Sequence, residues 1–149
     1  MPTLRDMPLV DASVSRSATF LDAARTLADS GIAAVAVLED DGRIVGVFTD
    51  DDLLRGLFPR YLEQLRHTAF LEREPSALGA RLDAAAAEPV TAHMRDAVVV
   101  DVETAPVHVA ERFLHCDWGA LAVAEGGRFV GMLPQLEFCR AVMGTHADG

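Results

Sequence analysis

The chain has 149 residues, half of them apolar and 24% charged, which suits one compact domain or two small halves sharing a core. Its net charge of −10 and pI of about 4.8 argue against nucleic-acid binding through a basic surface and against attraction to anionic membranes. No run approaches the roughly 20 apolar residues of a spanning helix. Met1–Val10 lacks a basic segment followed by a long apolar core, so no signal peptide is expected. Cys116 and Cys139 make no disulfide framework, and a reduced, cytoplasmic setting is expected.

Residues 1–11 read as an N-terminal arm, with Pro2 and Pro8 opposing a continuous helix. The first repeat spans 12–57. A short strand is expected over Ala12–Ser15, and then Ser17 or Thr19 can cap a helix, with Asp22 at the capping-box spacing from Thr19. That helix carries Phe20, Leu21, Ala24, Leu27 and Ala28 on one side and Asp22, Arg25 and Asp29 on the other, and Gly31 stops it. Ile32–Leu38 is a near-continuous apolar run suited to a strand covered on both faces. Glu39–Gly42 is a turn. Ile44, Val45, Val47 and Phe48 then form a strand that Thr49 ends. Asp50, Asp51 and Asp52 place negative charge at the start of a helix whose apolar stripe is Leu53, Leu54 and Leu57.

Residues 58–88 separate this unit from a second one. Tyr61, Leu62, Leu65, Phe70 and Leu71 suit an amphipathic helix, Pro75 breaks it, and Ser76 can cap another helix through Ala87. The segment is too rich in helix formers for a flexible linker and is expected to pack on the pair or to form a partner surface.

The second repeat spans 89–143 and restates the order of the first, followed by a tail over 144–149. Ala97–Val102 is a strand, Thr104 and Pro106 begin a helix through Leu114, Gly119–Ala124 is a strand and Glu125–Gly127 a turn. Phe129–Leu133 is the next strand, and Gln135–Val142 the last helix. Gly42, Arg43, Val45 and Gly46 recur as Gly127, Arg128, Val130 and Gly131, and Val35 aligns with Leu121 one position further on. The chain therefore reads as an internal duplication.

Each half resembles a cystathionine β-synthase (CBS) domain, most specifically in DGRIVGVFTDDDLL and PVTAHMRDAVVVDVETAPVHVAERFL. The resemblance implies an α/β (α+β) fold of two β-α-β-β-α repeats, packed through their sheets with pseudo-twofold symmetry, plus a helical insert. It implies a sensor of adenine-containing ligands, not a catalyst, and a homodimer. In the family the motif Gly-apolar-apolar-Thr-x-x-Asp holds a ribose, which carries over to Thr49 and Asp52; a carboxylate can accept from both sugar hydroxyls. Thr-x-x-Asp is also close to a capping box, and the two uses are compatible. Ile32, Ala33 and Ala34 match the segment that lines the adenine pocket, or are plain buried strand.

The second copy departs from the motif, with Pro134 and Glu137 at the Thr and Asp positions. Gly119, Ala120 and Glu137 are thus expected to form a weak or altered second site, with Trp118 stacking on a base there or, the blander use, plugging it or packing in the core. Asp50 and Asp51 stand where the family often has a base, which disfavours a polyphosphate. AMP, adenosine or an S-adenosylmethionine type fits better than ATP, unless Mg²⁺ bridges the phosphates. His115, Cys116 and Cys139 match no zinc spacing, and no catalytic motif appears. The leading reading is a regulatory module that binds an adenosyl ligand and signals to a partner protein. The alternative is a dimerisation or adaptor protein with decayed clefts.

Overall fold

In the computed structural model, residues 3–58 and 75–148 are described. Two three-stranded sheets are present, one per repeat. The first repeat runs β1 (Ser13–Ser15), α1 (Phe20–Ser30), β2 (Ala34–Leu38), β3 (Ile44–Thr49) and α2 (Asp50–Leu57). Helix α3 (Pro75–Ala86) follows. The second repeat runs β4 (Val99–Asp101), α4 (Pro106–Leu114), β5 (Ala120–Glu125), β6 (Arg128–Pro134) and α5 (Gln135–Asp148). In each sheet the first strand pairs parallel to the second, through the helical crossover such a pair needs, and the second pairs antiparallel to the third. Mixed α/β architecture and duplicated order are as expected from the sequence.

Local signals explain most boundaries. Thr19 caps α1, with Asp22 NH donating to its hydroxyl at 3.2 Å and Thr19 NH donating back to the Asp22 carboxylate at 3.1 Å. Gly31, at φ 71°, ends α1 in the left-handed conformation that glycine adopts without strain. That turn carries Ile32 and Ala33 with it, so β2 begins at Ala34 and not at Ile32. Pro75 opens α3 instead of breaking a helix, since the first helical turn has no use for its missing N–H. Helix α5 continues past Val142 to Asp148. The amphipathic helix expected around Tyr61–Leu71 lies outside the described residues.

Asp22 yields a pH prediction. Hydrogen bonds from the Thr19 backbone N–H and then its hydroxyl hold this carboxyl below its usual 3.8. A depressed folded value means that the cap's contribution is fully present above the unfolded pKa and is lost as pH falls through the folded one. A carbon-detected NMR titration should find the Asp22 midpoint below 3.8. A midpoint at or above that value contradicts the capping geometry.

The two repeats hold each other by a reciprocal exchange. Val10, ahead of the first repeat, pairs with Met132 of β6 through two backbone hydrogen bonds of 2.8 Å. Arg95, ahead of the second, pairs with Val47 of β3 through two of 2.9 Å. Each partner is displaced by 85 positions from its counterpart, as the pseudo-twofold relation requires. Close approach depends on glycine at both crossings. A Cβ on Gly46 would sit 2.8 Å from the Arg95 carbonyl oxygen, and one on Gly131 would sit 2.7 Å from Leu9 Cβ.

The core follows the same logic. Ala34, Ala36, Val47 and Phe48 of the first sheet pack with Ala120, Ala122 and Met132 of the second. Small residues at facing positions let two sheets approach closely. A second cluster under α4 and α5 takes in Leu4 and Met7, so the N-terminal arm packs on the second repeat. Arg5 anchors it there through Glu103 at 3.0 Å and Glu125 at 2.6 Å. Helix α3 packs on α1 and α2, with Ala85 in the first cluster.

Candidate functional site

Pseudo-symmetry generates two positions for a cleft, and the chain treats them differently. One lies at the start of α2, with Thr49 and Asp52. They are 0% and 7% exposed, the two buried polar residues among those described. Asp52 Oδ2 accepts from Thr49 NH and from the Thr49 hydroxyl, both at 2.9 Å. Thr49 Oγ1 in turn accepts from Asp52 NH at 3.1 Å, completing a capping box.

The remaining lone pairs of Asp52 meet Arg95. Its Nη2 donates to Oδ1 at 2.5 Å, and its Nε reaches both carboxylate oxygens at 3.1 Å. Asp51 adds a weaker contact at 3.6 Å. The Asp52 hydrogen bonds and charge raise the Arg95 pKa further above its already high value, so the guanidinium stays charged. Trp118 lies beneath it, with the guanidinium carbon 5.5 Å from the ring centroid, within cation–π range. The Trp118 indole Nε1 is buried with no hydrogen-bond partner among the described residues. The expected open crevice with Thr49 and Asp52 facing into it is therefore not what this position presents. Arg95 takes up the carboxylate that a diol needs.

The other position is open. A cleft of about 530 Å³ is lined by Val10, Ile32, Ala33, Gly119, Ala120 and Pro134–Glu137, with Pro8 and Gly31 at its edge. It thus gathers Ile32 and Ala33 from the first repeat with Gly119, Ala120 and Glu137 from the second. The first two were expected beside Thr49 and Asp52, and the last three were expected to form the degenerate site. Ala34 is fully buried in β2. The N-terminal turn of α5 faces this cleft, and Gln135 NH is tied to Gly119 O at 2.9 Å. Glu137 pairs with Arg140 at 2.9 Å.

The internal register explains why the carboxylate is engaged at one position while the other is open. Val10 is the counterpart of Arg95, since Leu9-Val10-Asp11-Ala12 aligns with Met94-Arg95-Asp96-Ala97. Ile32 is the counterpart of Trp118. Where one position has a guanidinium stacked on an indole, the other has two aliphatic side chains. Arg95 is the site residue that the motif alone does not reveal. The signal for it was present in the alignment of the two lead-ins, where an apolar residue faces an arginine.

Two β-α-β-β-α units exchanging lead-in strands across facing sheets have the fold of a CBS pair. Residues 4–58 match the family model of the CBS domain, and solved structures extend the likeness over both repeats. A CBS domain-containing protein of unknown function from Kribbella flavida is 18% identical, with 96% of this chain and 99% of that one covered and a TM-score of 0.75. The CBS-pair protein CBSX2 from Arabidopsis thaliana is 22% identical, with 99% and 98% covered and a TM-score of 0.72. CBSX2 solved in complex with AMP gives 22% identity, 98% and 99% coverage and a TM-score of 0.69. No curated protein sequence matches the chain. No helix among the described residues is long and apolar enough to cross a membrane.

Proposed function

We propose that the chain is a non-catalytic regulatory module that holds an adenosine-containing ligand between its repeats and passes occupancy to a partner protein. The open cleft carries this reading, because Ile32–Ala33 of one repeat meets Gly119–Ala120 of the other across about 530 Å³. That volume suits a nucleoside-sized group. Apolar side chains fit the faces of a base, and Gln135 and Glu137 supply acceptors for sugar hydroxyls. CBSX2 holding AMP on a similar fold supports the ligand class.

Charge narrows the ligand. The lining contains neither Arg nor Lys and has one carboxylate, Glu137. Polyphosphate is repelled there, with only the positive end of α5 in its favour. AMP, adenosine or an S-adenosylmethionine type is favoured over ATP. A protein-held Mg²⁺ needs several oxygen donors, and the single lining carboxylate is already paired with Arg140, so Mg²⁺ is not part of the proposed site. The sealed Asp52 favours a second reading, an adaptor whose clefts no longer bind.

Thermal unfolding with AMP, adenosine, S-adenosylmethionine and ATP separates the two readings. A ligand at about a hundredfold over its Kd adds about 2.7 kcal/mol. Ile32→Trp copies into the open cleft the residue at the closed one, and should abolish the shift while leaving the unliganded transition cooperative. If none of the four shifts the wild-type protein, the adaptor reading stands.

A further inference from the structure

We infer that Arg95 is an internal competitor for the Thr49–Asp52 position, a guanidinium held where the cis-diol of a ligand would bind, and that this one side chain limits the protein to a single adenosyl ligand. The inference rests on the ligand reading above for its choice of ligand class. A cis-diol offers a carboxylate two adjacent O–H donors. Arg95 offers Asp52 two N–H donors, Nε and Nη2, with Nη2 on Oδ1 and Nε within 3.1 Å of both oxygens. The Thr49 backbone N–H and hydroxyl serve Oδ2 as well, so neither oxygen is left without a donor. In the first repeat the counterpart of Arg140 is Arg55, which pairs with Asp51 at 3.2 Å and leaves Asp52 to Arg95.

Strength and proximity both favour Arg95 over a free diol. The sugar hydroxyls are neutral, whereas the guanidinium adds a full charge and a planar fork that matches a carboxylate. It is also tethered. Two backbone hydrogen bonds of 2.9 Å pin Arg95 to Val47, so it competes as an intramolecular partner, at an effective concentration on the order of millimolar. Contact with Trp118 at 5.5 Å and with Asp51 at 3.6 Å holds the guanidinium in place. Its side chain is 30% exposed and that of Asp52 8%, so the guanidinium is the more solvent-facing member of the pair. The second repeat supplies the contrast. Val10, Ile32 and Glu137 stand there for Arg95, Trp118 and Asp52, and all three line the open cleft. Val10 has no side-chain donor with which to compete.

Isothermal titration calorimetry of the full chain with adenosine tests the inference. The wild type should take up one adenosine per chain. Arg95→Met keeps an unbranched stem but removes the charge and the donors, and should take up two, the second disturbing the amides of Thr49 and Asp52. Asp52→Ala in that background should return the count to one. Val10→Arg installs a guanidinium in the cleft that Glu137 lines, and should weaken adenosine at least tenfold beyond Val10→Met; this pair keeps the test open should Arg95→Met fail to fold. An Arg95→Met protein that gains no site over the wild type, or whose added site survives the loss of Asp52, overturns the inference, as does Val10→Arg binding as tightly as Val10→Met. A wild type that binds none, beside an Arg95→Met protein that binds one at Asp52, upholds it and removes the open-cleft reading instead.

Discussion

Asp52→Ala is expected to be among the most destabilising substitutions in the chain, although it removes only a short polar side chain. The carboxylate accepts from Thr49 NH, the Thr49 hydroxyl and Arg95 in one buried constellation. Loss of an N-cap partner costs about 1 kcal/mol. Leaving Arg95 without its counter-charge in a half-buried setting costs about 2 kcal/mol more, less than for a fully buried pair because the guanidinium keeps some solvent. The total of about 3 kcal/mol corresponds to a fall in Tm of about 10 °C for a chain of this size. Arg95→Ala alone should cost less, since water can enter to solvate Asp52. The double variant should be more stable than the sum of the singles implies, by about 1–2 kcal/mol, because no orphaned charge remains. Additive losses in chemical denaturation would show that the clamp contributes nothing beyond the cap.

Phe20→Ala is expected to cost about 4 kcal/mol. Its ring is fully buried, stands edge-on to Phe48 at 5.5 Å and lies 4.7 Å from His93, so it ties α1 to β3 and to the lead-in of the second repeat. Gly56→Ala in the native background should also destabilise, because the added methyl meets the Phe20 ring at 2.3–2.6 Å and both are buried. In the Phe20→Ala background the same methyl enters the vacated space and recovers part of the loss. The second repeat already carries a version of this exchange in Pro106 and Ala141. Urea midpoints of the four proteins test the coupling, and a sum of the single effects in the double variant would contradict the packing described.

The duplicated architecture was legible because its signals are local. Gly42-Arg43 and Gly127-Arg128 mark the same turn twice, and Thr19–Asp22 and Thr49–Asp52 are capping boxes that a spacing of three residues discloses. Candidate residues for a cleft were legible too, since Ile32, Ala33, Gly119, Ala120 and Glu137 all line one. Their grouping was not. A motif is read within one repeat, whereas the cleft takes its walls from both, by the exchange that pairs Val10 with Met132 and Arg95 with Val47. Thr49 and Asp52 looked like the better site because they keep the family's residues. What engages Asp52, Arg95 stacked on Trp118, comes from more than 40 positions away, as the spacing of the Arg95–Asp52 bond shows. Similarly, Ile32 reads as strand from its apolar run, but Gly31 at φ 71° turns it to the cleft.

Under the proposed function, the asymmetry also bears on how occupancy would be transmitted. Trp118 immediately precedes Gly119, so the stacked Arg95 and the floor of the open cleft share one stretch of backbone. A ligand seated against Gly119 and Ala120 therefore contacts the segment that carries the Trp118–Arg95–Asp52 clamp. A ligand shifts an equilibrium between arrangements of the two repeats only if its contacts there differ between them.

Amide chemical-shift mapping with adenosine and AMP tests the central claim most directly, because it reports on both positions in one titration. The account predicts saturable shifts concentrated at Ile32, Ala33, Gly119, Ala120 and Gln135–Glu137, with Thr49 and Asp52 disturbed less. Shifts centred instead on Thr49, Asp52 and Arg95, or no saturable shift with either compound, would contradict it.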